Sequence, residues 1–225
     1  MMDVPYLTTP GRRAEVRAGI QIEIITIAWM VVEAAVAIGA GILARSVLLT
    51  AFGIDSIIEL VSGGVLLWRL RVEAAGTSVE RVEWAEKRAA WITGIGLALL
   101  CVYVVAMAVL ALVTRTRPEG SLVGIGLAVV AVIGMPVLAR TKRQIATQIG
   151  SAALRGDAAC SITCAYMAGT LLVGLLLNTV FGWWWADSLA ALALVYWLGR
   201  EAREALDGAR AGRGACACGE DKCQG

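Results

Sequence analysis

The sequence predicts an all-α membrane protein, a bundle of six transmembrane helices. Three observations predict it. The chain has 225 residues, is 59% hydrophobic and only 17% charged, and has a mean hydropathy of +0.74. A soluble domain is about 45–50% apolar and about 25% charged, so the excess needs a solvent in which apolar side chains can face outward. Apolar stretches of the length a bilayer requires, about 20 residues, recur along the whole chain. The basic residues gather in alternate loops.

Each helix follows in order. The first spans about Gly19 to Ala44 and the second about Val47 to Leu70. They meet near Arg45 and Ser46, a link short enough for a tight antiparallel hairpin. The third covers about Ala90 to Thr114 and the fourth about Leu122 to Ala139, with Pro136 expected to kink it. The fifth covers about Gly156 to Val180 and the sixth about Trp185 to Leu198, joined near Phe181 and Gly182. Residues 71–88 and 140–155 are polar connectors, the former partly helical. Trp68, Trp91, Trp183, Trp184, Trp185 and Trp197 fall near helix ends, as amphipathic rings do at a membrane interface. Gly39 with Gly41, Gly63 with Gly64, and Gly124 with Gly126 permit close helix contact. The chain divides into an N-terminal segment (1–18), a membrane domain (19–206) and a short Cys-rich tail (207–225).

Orientation follows from the loops. Of the 20 Lys and Arg, only Arg45, Arg115 and Arg117 fall on one side of the six-helix map. Positive charge stays inside, so both termini are expected in the cytoplasm and the protein in the cell membrane. The N-terminal stretch lacks the form of a cleavable signal.

Acidic groups inside a span cost about 2.5–3.5 kcal/mol each on insertion scales, so their placement is informative. Asp55 and Glu59 on the second helix are four residues apart and emerge on one face. Two like charges that close repel, and a cation or a shared proton relieves the repulsion. The interiors of the predicted spans contain no Lys or Arg to do so, Arg69 lying at the very end of the second. On the fifth helix Cys160 and Cys164 repeat the same spacing, with Asp157 one turn earlier on the same face. Thiolates bind soft and borderline ions. Asp55, Glu59, Cys160 and Cys164 therefore form a candidate metal site, with Asp157 and Glu33 as accessory metal or proton groups. Packing is the alternative for the Cys pair, and is the reading for Cys101. Glu33 equally suits a hydrogen bond to a neighbouring helix. Asp187 is read as a cap at the start of the sixth helix.

Cys216, Cys218 and Cys223 in the tail are candidate metal-binding thiols, expected to be reduced in the cytoplasm. The chain has no His. It shows no nucleotide-binding loop, no converging nucleophile and base, and no feature that would hold nucleic acid. Transport, where it occurs, must run on ion gradients.

At Asp55 to Glu59 and Asp157 to Cys164 the chain resembles the cation diffusion facilitator family, whose transport site pairs a D/HxxxD pattern on the second helix with HxxxD on the fifth. Asp157 matches an Asp often found three residues before the first ligand of the fifth helix, and WWWADSLAALALVYWL is similar to the start of the last one. The resemblance covers about residues 19–206. It implies a six-helix bundle with cytoplasmic ends, no permanent cofactor, divalent metal ions and protons as the species handled, and a homodimer in the lipid. Cys at both fifth-helix ligand positions implies a softer ion than usual. The family's usual C-terminal domain has no counterpart in the 225 residues. The implied activity is export of a zinc- or cadmium-like cation, or a softer one, by proton antiport, not enzymatic catalysis. A thiol-based mercuric-ion carrier and a non-transporting metal sensor are the alternatives.

Overall fold

A computed structural model describes residues 10–75 and 80–211. They form six helices: α1 (Pro10–Ala44), α2 (Val47–Ala74), α3 (Glu80–Thr114), α4 (Leu122–Ile149), α5 (Ala152–Phe181) and α6 (Trp184–Arg210). Five of them, α1 to α5, are long and apolar enough to cross a membrane on their own. α6 falls short because charges follow from Arg200 onward and because its inward side carries Asp187, Ser188 and Glu201. The closest partnerships are α1 with α2, α4 with α5, and α3 with α6.

The helices begin or end beyond the predicted boundaries on the side of the polar connectors. The segment 140–155 is not a loop. The inward stripe of α4 continues from Met135 and Ala139 through Lys142, Ile145, Ala146 and Ile149, so the helix stays amphipathic through Arg140 and Arg143. Only Gly150 and Ser151 break it. Gly150 takes the left-handed conformation at φ 69°, and the Ser151 side chain accepts from Leu154 N to start α5. α4 runs unbroken past Pro136.

Glycine sets the spacing where helices cross. A Cβ at Gly41 would stand 2.7 Å from Thr50 N, and one at Gly53 would stand 2.9 Å from Ile38 N. The α1–α2 hairpin thus closes backbone to backbone. Gly39, Gly64 and Gly126 face open space, so only one member of each predicted glycine pair makes a close approach.

Apolar residues from all six helices meet in one core that includes Phe52, Leu97, Met135, Leu171 and Leu194. A second cluster of Val16, Leu70, Ile145 and Leu154 seals the end where α1 and α5 start. Tyr166 on α5 stacks on Trp197 of α6, with ring centroids 5.1 Å apart and planes within 6°.

Candidate functional site

The two predicted pairs lie on neighbouring helices and meet at one point. The Cys164 thiol donates to both carboxylate oxygens of Glu59, at 2.9 and 3.0 Å. Glu59, Asp157, Cys160 and Cys164 all line one narrow cavity to which all six helices contribute. Asp55 is buried beside it, one turn nearer the α1–α2 hairpin, and is not on the cavity wall. Its Oδ1 has no hydrogen-bond partner. As the side chains stand, no three His, Cys, Asp or Glu among the described residues are close enough to grip one ion. Cys160 is disulfide-bonded. A ligand role for its sulfur requires reduction. Cys101 is a free thiol packed against the core.

One premise of the sequence reading is corrected. The interior of the helix bundle does hold a base. Lys142 is fully buried in α4, because that helix runs three turns past the predicted end. Its ammonium donates to Asp157 Oδ2 and sits 3.1 Å from Glu23 Oε2. The Glu23 contact is an ion pair without hydrogen-bond geometry, and both its oxygens are otherwise unpartnered. Gly63 leaves the room this needs, since a Cβ there would stand 3.1 Å from Glu23 Oε1. Asp157 is therefore engaged by Lys142, while Asp55 and Glu59 remain without a basic partner among the described residues.

Glu33 makes the bond across helices that its position allowed. Trp29 Nε1 donates to Oε2 at 2.6 Å, and Ser56 Oγ on α2 donates to Oε1 at 2.7 Å. Ser56 adjoins Asp55, so Glu33 fixes the turn of α2 that carries the acid pair. Asp187 caps a different helix from the one expected. It accepts from Ser46 Oγ, from Val47 N at 3.0 Å and from Leu48 N at 3.4 Å, which places it on the start of α2. Ser46 Oγ in turn accepts from Leu49 N at 3.0 Å. The positive end of α2 explains the choice, since its free N–H groups point at the carboxylate. Cys216, Cys218 and Cys223 lie outside the described residues.

The sequence reading missed Glu201. It lies on the same inward stripe of α6 as Asp187, Ala191, Leu194, Leu198 and Ala205, is buried, and lines the cavity. Continuing that stripe past Leu198 would have found it.

A model of the cation efflux transmembrane domain matches residues 24–206, which takes in all or part of every described helix and includes Glu33, Asp55, Glu59, Lys142, Asp157, Cys160, Cys164, Asp187 and Glu201 but not Glu23. The chain belongs to the cation efflux family. It is a multi-pass membrane protein that transports cations outward, and not an enzyme. The cation efflux domain includes most of α6, the helix whose composition alone did not qualify it as a span. No curated protein matches the chain.

Proposed function

We propose that the chain exports a divalent, thiophilic cation, zinc- or cadmium-like or softer, in exchange for protons, with Asp55, Glu59, Cys160 and Cys164 as its ligands. One observation carries the reading: the hydrogen bond between Cys164 and Glu59, which joins the two ligand pairs across α2 and α5. Donors from sulfur and carboxylate suit zinc and cadmium, and sulfur weights the choice toward soft ions. The same contact supports exchange. A thiol that donates to a carboxylate holds a proton between them, and a cation bound by both must displace it. Protons arriving from the opposite side then compete the cation off. The reading takes both termini as cytoplasmic and the transporter as a homodimer.

Flux in proteoliposomes tests it, with reductant present and zinc, cadmium, mercury, cobalt, iron and manganese compared. Asp55→Asn and Glu59→Gln should abolish flux with normal insertion. Cys164→Ser and Cys160→Ser should weaken cadmium and mercury most. Cys101→Ser should behave as the parent. Parental flux in the Asp55 and Cys164 variants would show that the site is elsewhere.

A further inference from the structure

α6 brings to the cavity a carboxylate that no motif singles out. Glu201 is 8% exposed, and its Oε2 has no hydrogen-bond partner among the described residues. It lines the cavity together with Glu59, Cys160 and Cys164. The base on the same wall, Lys142, is held by Glu23 and Asp157. The neighbouring Arg200 and Glu204 pair with each other on the exposed face of α6, at 2.9 Å. The other members of the inward stripe around it, Leu194, Leu198 and Ala205, are apolar. Burying a carboxyl group whose oxygen lacks a partner is costly, and a Leu at this stripe position would avoid the cost.

We propose that Glu201 is a ligand of the transported divalent cation, completing with Glu59 and Cys164 a site shared by α2, α5 and α6. The inference rests on the transport site proposed above. Two carboxylates and one thiolate carry three negative charges against the ion's two, so the three donors more than offset its charge, and the bound site is neutral when one donor keeps its proton. A donor from a third helix also means that binding draws α6 toward α2 and α5.

The test is equilibrium dialysis of the purified full chain against cadmium, under a thiol-free reductant, with thiolate-to-cadmium ultraviolet absorption as a second readout. Glu201→Gln should raise Kd by about tenfold or more, while Glu204→Gln should leave it unchanged. Glu201→Leu guards against a folding artefact. It should unfold at the same temperature as the parent or higher, yet bind cadmium as weakly as the Gln variant. A purely structural Glu201 gives the reverse: lower thermal stability in the Leu variant with parental Kd, which would overturn the inference. Parental Kd in the Gln variant would overturn it too. A parent that binds cadmium without the sulfur absorption removes the thiols from the transport site, and the ratio of Kd values still decides Glu201. A parent that binds no cadmium sinks both.

Discussion

At the scale of single residues, the placement of Lys142 decides how the acids of the bundle divide. Glu23 and Asp157 have a buried base between them, and Asp55, Glu59 and Glu201 do not. Removing one partner of a buried ion pair costs about 3–5 kcal/mol, whereas replacing the whole group with neutral residues is close to neutral. Lys142→Met should therefore lower the thermal stability of the detergent-solubilised protein by several kcal/mol. The triple variant Glu23→Gln, Lys142→Met, Asp157→Asn should recover most of it. An equal loss in both would show that the triad is not an ion-pair unit. The ligand pairs were legible in the sequence because i, i+4 spacing is a local property. Lys142 and Glu201 were not, because each lies just past the end of its apolar run. There the polar flank of the chain masks a helix that continues inward.

At the scale of elements, the same effect explains the boundaries. Hydropathy finds the part of a helix that lipid surrounds, while α4 continues on its inward stripe alone, through Lys142, Ile145 and Ile149. The two short links were legible because two residues between long helices leave few alternatives. What they do energetically was not, since it depends on the partner helix. Asp187 supplies the acceptor for Val47 N and Leu48 N and for the Ser46 hydroxyl. Asp187→Ala leaves three donors in a buried hairpin without their acceptor and should cost about 2 kcal/mol. Asp187→Asn retains an acceptor oxygen and should cost less. Thermal unfolding of the two variants gives the order, and an Ala variant as stable as the parent would remove Asp187 from the account of how α2 starts.

At the scale of the molecule, the fold class was legible from composition and repeated spans, and the family match agrees with it. The orientation rests on the distribution of Lys and Arg, where Arg45, Arg115 and Arg117 stand apart from the rest of the 20. Tags at Met1 and Gly225 should both report the cytoplasm, and a tag at Glu119, in the turn between α3 and α4, should report the outside. Any one tag on the wrong side would break the six-helix map. Depth within the bundle was less legible. It took the folded packing to show that Glu59, Cys164 and Glu201 face one cavity, since nothing local in three separate helices fixes their relative height.

The ring pair of Tyr166 and Trp197 has a use that neither ring announces. Tyr166 follows Cys164 by two residues on α5, and Trp197 precedes Glu201 by one turn on α6. The stack therefore bridges the two helices beside the donors each contributes. Indole emission depends on the ring's immediate surroundings, and a coplanar pair at 5.1 Å is disturbed by small slips of one helix along the other. With the other seven tryptophans replaced, the pair becomes an optical strain gauge between α5 and α6 that needs no added label.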